Sequence, residues 1–127
     1  MKLLLDTHTF LWFIDDSPQL RQQGKAILEA DNVLLLSIAS LWEIAIKLRL
    51  AKLTVAMPTQ VLMTEQLTRN DIDVLPITVA HLVVVSTLAL HHRDPFDRLL
   101  IAQAMVTQMP IVSADPAFDA YPVQRLW

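Results

Sequence analysis

Short apolar runs that stop on a helix-starting residue recur along this chain, and few folds satisfy that pattern. Lys2–Leu5 runs into Asp6, Val33–Leu36 into Ser37, and Pro110–Ala114 into Asp115-Pro116. Each run is almost uniformly apolar, as a strand covered on both faces should be. Aspartate, serine and threonine are favoured helix caps, and proline suits the first helical position. The pattern predicts strands at Lys2–Leu5, Val33–Leu36, Ile72–Leu75 and Ile111–Ser113, with a fifth at the edge over Val123–Leu126. Helices are expected over Thr7–Ile14, from Ser17-Pro18 to about Ala30, and from Ser37 to about Leu50. Others run from Pro58 to about Arg69, from Thr78 through His91, and from Asp94-Pro95 through Gln108. Strands alternating with helices imply an α/β fold with a mostly parallel sheet and right-handed crossovers. The helix pair between Ser37 and Arg69 is an extra element between two strands.

Composition removes several function classes. A chain of 127 residues fits one domain, 1–127, with one sizeable core. There is a single glycine, Gly24, which excludes a glycine-rich phosphate loop. There is no cysteine, which excludes disulfides, thiolate zinc sites and cysteine nucleophiles. The net charge of −3 denies the chain a broad basic face for nucleic acid, so a local basic stripe or bound cations would have to serve. Lys47, Arg49 and Lys52 form such a stripe, and Arg93 and Arg98 another; each reads equally as a solvated helix face. No apolar stretch reaches the roughly 20 residues a membrane span needs, and acids interrupt the N-terminal run, so a cytoplasmic protein is expected. Hydrophobic residues make up 54%, an excess that suggests apolar surface meeting a partner.

The acids Asp6, Glu43, Asp97 and Asp115 carry the chemistry in this reading. Carboxyl ends of parallel strands share one edge, which is where such sheets bind ligands. Carboxylates gathered there repel one another unless a cation sits among them. Asp6 and Asp115 read both as caps and as metal ligands, and capping preference alone favours the cap. Asp94 caps the helix whose first turn holds Asp97, where a carboxylate also suits the helix dipole. Glu43 discriminates better, being the only charged residue between Val33 and Ile46. Its neighbours one turn away include Ala39, Ser40 and Lys47, and a carboxylate in such surroundings needs a partner. Thr7 and Ser113 stand where they can support acids from behind. His91-His92 reads as a cation at a helix end, and no histidine has the spacing of a ligand set.

The strings Leu4-Leu5-Asp6-Thr7-His8, Ser40-Leu41-Trp42-Glu43-Ile44, Asp94-Pro95-Phe96-Asp97-Arg98-Leu99-Leu100-Ile101-Ala102-Gln103-Ala104 and Val112-Ser113-Ala114-Asp115 resemble PIN-domain proteins. Within that family the chain looks most like the VapC toxins of bacterial toxin–antitoxin pairs, across essentially its whole length. The resemblance implies a three-layer α/β/α sandwich with about five mostly parallel strands. It implies a Mg²⁺- or Mn²⁺-dependent endoribonuclease, with Asp6, Glu43, Asp97 and Asp115 as the catalytic acids. Asp6, Asp97 and Asp115 then hold the metal, with Thr7 and Ser113 behind them and Glu43 completing the shell directly or through water. It also implies an antitoxin that blocks the cleft. Leu41, Ile44, Leu48 and Leu50, facing Val61, Leu62 and Leu67 on the next helix, offer an apolar groove for an amphipathic segment of that partner. A homodimer is a second use of the apolar excess. The competing readings are a catalytically silent module of the same fold and a receiver-like Mg²⁺-binding phosphoacceptor. The receiver-like reading lacks an acid pair after Leu5, an aspartate after the third strand and a lysine on the last.

Overall fold

A computed structural model describes residues 1–127 and shows five strands in one all-parallel sheet. They are β1 (Lys2–Leu5), β2 (Val33–Ser37), β3 (Ile72–Leu75), β4 (Ile111–Val112) and β5 (Arg125–Leu126), in the order β3-β2-β1-β4-β5. The helices are α1 (Thr7–Ile14), α2 (Gln22–Glu29), α3 (Ile38–Arg49), α4 (Gln66–Arg69), α5 (Val79–Thr87) and α6 (Pro95–Thr107). No helix is long and apolar enough to cross a membrane. The expected α/β sandwich is therefore what forms.

Burial explains the uniformly apolar strands. Leu3 and Leu5 point to one face of the sheet and join Phe10, Leu28, Leu34, Leu36, Ile44, Leu62 and Leu67. Leu4 points to the other face and joins Leu100, Ile101, Ala104, Ile111, Phe118 and Tyr121. Side chains alternate along a strand, so a strand with a helical layer on each side needs leucine at every position.

Strand order sets the working edge. The chain runs outward from β1 through β2 to β3, then returns to the other side of β1 for β4 and β5. The direction of winding reverses between β1 and β4, and such a switch point opens a crevice at the carboxyl ends of the strands. Register then makes neighbours of distant residues. Leu5 lies level with Leu36 and with Val112. The next residues along, Asp6, Ser37 and Ser113, are therefore side by side at the crevice.

Several element limits differ from the sequence expectation. The helix expected from Ser17 begins only at Gln22. Asp16 is left-handed, and the Ser17 hydroxyl accepts from Gln19 N in a turn that buries Leu20. The stretch leading into α4 contains a π-helical segment, Val61–Glu65. The last strand is confined to Arg125–Leu126.

The departure that bears on the site is at α5, which stops at Thr87 rather than His91. Ser86 and Thr87 turn their hydroxyls back onto the carbonyls of Val83 and Val84, a local alternative to continued helix. The unwound carbonyls beyond find other donors. The Arg98 guanidinium donates to Leu88 O, Ala89 O and His92 O. The Tyr121 hydroxyl donates to Ala89 O and accepts from His92 N. Arg98 therefore braces a loop and is not free to guide a phosphate backbone.

Candidate active site

Asp6 and Asp115 each use one oxygen to cap a helical turn and turn the other to a side-chain neighbour. Asp6 Oδ1 accepts from Thr9 N at 2.7 Å and so caps α1. Its Oδ2 accepts a short hydrogen bond from the Ser113 hydroxyl. Ser113 Oγ in turn accepts from Asp115 N at 3.0 Å. Asp115 Oδ1 accepts from Ala117 N at 2.9 Å and caps the short 3-10 turn Pro116–Ala120. Asp115 Oδ2 is left facing His92. Capping and the site thus share the same side chains, because helix N-termini in a parallel α/β sheet point into the crevice. Asp6 and Asp115 line one cavity there, with His8, Trp12 and Ala114.

Glu43 enters from α3. Its side chain is 5% exposed. Glu43 Oε1 accepts from the Thr7 hydroxyl at 2.7 Å, and Oε2 accepts from Lys47 Nζ at 2.8 Å. Thr7 therefore supports Glu43 and not Asp6, the partner expected from its position in the chain. Ser40 Oγ lies 3.0 Å from the same threonine oxygen.

Asp97 enters from the first turn of α6, which Asp94 caps through Phe96 N at 2.8 Å. Its carboxyl is pushed up to about 7, first by burial and then by the negative charges of Asp94, Glu43, Asp6 and Asp115. Asp94, Glu43, Asp6 and Asp115 all lie near enough to contribute to that shift, and Asp97 and Asp115 share His92 as a neighbour. A carboxyl held up by burial and by nearby carboxylates marks a place short of positive charge.

Two residues in this region were not foreseen. Lys47 read as part of a basic stripe, yet it supplies the one ammonium bonded into the cluster. Its hydrogen bond to Glu43 raises its pKa, and the charges of Glu43, Asp94 and Asp97 add to that. Only the i,i+4 spacing from Glu43 to Lys47 could have signalled the pair. Removing this ammonium should leave the cluster more negative. Calorimetric titration of Lys47→Gln with Mn²⁺ is expected to show binding roughly threefold to tenfold tighter than in the parent chain. Weaker binding would mean that Lys47 is no counter-ion to the site.

His92 is the other. Its Nε2 lies 3.1 Å from Asp97 Oδ2 and 4.0 Å from Asp115 Oδ2. One donor atom each from His92, Asp97 and Asp115 fall within 4.8 Å of one another. The sequence placed His91-His92 at a helix end, but early termination of α5 carries His92 into the crevice. The donor set of the region is thus mostly carboxylate oxygen, which fits a hard divalent cation that takes oxygen ligands.

The apolar groove expected between α3 and the following helix does not form. Leu41, Ile44, Leu62 and Leu67 are core residues on one face of the sheet. An apolar groove lies instead along α1, lined by Leu11, Trp12, Ile14, Leu53, Val55 and Met57, with His8 at its end. His8 and Trp12 also line the cavity that holds Asp6 and Asp115, so this groove runs up to the acids.

The same architecture occurs in solved structures. A structure of VapBC2 from Rickettsia felis, bound to a DNA fragment from its promoter, matches with a TM-score of 0.73 and 16% identity over 98% of this chain and 97% of that one. FitAcB from Neisseria gonorrhoeae matches with a TM-score of 0.70 and 19% identity, covering 98% and 96%. FitAB bound to an IR36 DNA fragment matches with a TM-score of 0.69 and 17% identity, covering 98% and 93%. No curated protein matches by sequence. A family model described as the PIN domain matches residues 3–124. That match runs from within β1 to beyond β4, nearly the whole chain, and on that ground the chain belongs to the PIN domain family.

Proposed function

We propose that this chain is a one-domain (1–127), metal-dependent endoribonuclease acting as the toxin of a toxin–antitoxin pair in the cytoplasm. PIN domains are generally nucleases. What supports the reading for this chain is that Asp6 and Asp115 line one cavity, Asp97 and Asp115 both face His92, and Glu43 is held by Thr7, the residue next to Asp6. Asp6, Asp97 and Asp115 would hold Mg²⁺ or Mn²⁺, with Glu43 completing the shell directly or through water. A bound divalent ion supplies a water of lowered pKa and neutralises charge on the scissile phosphate. The chain's own groups prepare the place. Ser113 orients Asp6 and ties it to Asp115, Thr7 holds one oxygen of Glu43, and Lys47 shields the other. An acidic protein can bind RNA at such a point because the positive charge comes with the ion.

The partners follow from the same map. The similar folds VapBC2 and FitAB occur as complexes. In this reading the groove along α1 receives an apolar antitoxin segment, and an arginine at its end reaches the carboxylates past His8. Val79, Leu82 and Val83 leave an apolar strip exposed on α5, the face offered to a second copy in a homodimer.

Incubation with transfer RNA and other structured RNAs tests the activity. Cleavage is expected with Mg²⁺ or Mn²⁺ and none with a chelator. Metal titration by calorimetry separates the silent-module alternative, which gives no heat. Cleavage that survives the chelator would end the metal reading, and an inert chain that binds Mn²⁺ would end the nuclease one.

A further inference from the structure

The place of His92 is over-determined. Its backbone N–H donates to the Tyr121 hydroxyl at 2.7 Å, and its carbonyl accepts from Arg98 at 3.3 Å. Its ring packs against Phe118, with centroids 6.3 Å apart. Its Nδ1 accepts from Asp94 N at 3.2 Å. An imidazole nitrogen that accepts a hydrogen bond carries a lone pair, so the proton of the neutral ring sits on the other nitrogen. That nitrogen, Nε2, faces Asp97 Oδ2 at 3.1 Å. The backbone N–H that selects the tautomer belongs to the residue capping α6, and α6 is the helix that carries Asp97. One side chain therefore ties the cap of the helix to the carboxylate in its first turn.

We propose that His92 is a positioning residue for Asp97: locked as the Nε2–H tautomer, it donates to Asp97 Oδ2 and supports the metal-binding carboxylate without ligating the ion. This rests on the metal reading above. A fixed donor on Oδ2 orients the carboxylate and leaves its other oxygen to meet an incoming cation. To ligate through Nε2, the ring would have to move its proton to Nδ1 and abandon Asp94 N, uncapping a hydrogen bond at the start of α6. The arrangement thus withholds the one nitrogen donor of the cluster and leaves a site of oxygens.

Long-range ¹H–¹⁵N spectra of the imidazoles, recorded on the full chain above the ordinary histidine titration range, read the tautomer directly. The His92 signals are expected to show the Nε2–H pattern without metal and to keep it on saturation with Mg²⁺. A proton on Nδ1 in either state would overturn the proposal. Two variants separate positioning from simple folding. His92→Gln places an amide N–H near the position of Nε2, whereas His92→Asn keeps an acceptor near Nδ1 and presents no donor to Asp97. Mn²⁺ binding, followed by electron paramagnetic resonance, is expected to weaken roughly 10- to 100-fold in His92→Asn, with His92→Gln recovering most of it. Asn binding Mn²⁺ as the parent chain does, or Gln failing to recover, would overturn the positioning role alone. A parent chain that binds no Mn²⁺ would overturn the metal reading and this role with it.

Discussion

Asp97→Asn is expected to give a dead nuclease that is more stable than its parent when metal is absent. The Asp97 carboxyl ionises at about 7 in the folded chain against an ordinary value of 3.8. The folded state therefore holds this proton more tightly than the unfolded state does. Below the ordinary value both states are protonated and the residue costs nothing. Stability then falls as pH rises from 3.8 toward 7, and the full penalty remains above that. The shift corresponds to at most about 4 kcal/mol, and on the order of 2–4 kcal/mol after allowing for a side chain that is 22% exposed. Asparagine has the same shape and no charge, so it escapes the penalty while still accepting from His92. In chelator, well above neutral pH, the variant should melt roughly 5–15 °C higher than the parent. In acid the two curves should meet. A divalent ion should then stabilise the parent by mass action and the variant much less, closing the gap. Equal melting temperatures in alkaline chelator would show that neither burial nor neighbouring charge penalises the Asp97 carboxylate.

Asp6→Asn is expected to separate activity from stability in a different way. Asparagine caps a helix as well as aspartate does, so Thr9 N keeps its acceptor. The replaced oxygen becomes an amide donor facing Ser113, whose Oγ already accepts from Asp115 N. The serine proton loses its partner, at a cost of about 1 kcal/mol, partly offset because Asp97 loses one repelling charge. The melting temperature should stay within roughly 5 °C of the parent. RNA cleavage should fall at least about a thousandfold, equivalent to about 4 kcal/mol of lost transition-state stabilisation. Saturating Mn²⁺ should not restore it. Activity within tenfold of the parent would remove Asp6 from the mechanism and leave it only a cap.

The two variants probe residues whose local signals were ambiguous in the sequence for the same reason. Asp6, Asp97 and Asp115 sit at helix starts, where aspartate is favoured whether or not it does chemistry. In the structure Asp6 and Asp115 both do cap, with one oxygen on a backbone N–H, while the other accepts from Ser113 at Asp6 and faces His92 at Asp115. Glu43 was legible because a charge inside an apolar helix needs an explanation. Lys47 was not, since a lysine among other basic residues looks solvated until its neighbour at i−4 proves buried. Of the seven residues assigned to a groove, Leu41, Ile44, Leu62 and Leu67 went to the core while Leu50 stayed exposed, because a helix facing a sheet and a helix facing a partner show the same apolar stripe.

What the sequence determined alone was everything set by short-range energies. Uniform apolar runs mean strands covered on both sides, and Asp94-Pro95 and Asp115-Pro116 mark helical starts where they were read, although Ser17-Pro18 gave only a turn ahead of α2. What only the tertiary structure decided was order and termination. The reversal that lays β4 beside β1, and so Ser113 beside Asp6, depends on which helical layers pack on which face, a sum over contacts far apart in the chain. The end of α5 depends likewise on Arg98 and Tyr121, which give the unwound carbonyls their donors from outside that helix. Helix propensity there is worth tenths of a kcal/mol per residue, and a set of hydrogen bonds from elsewhere, most of them partly buried, outweighs it. That is how His92 reached the acids.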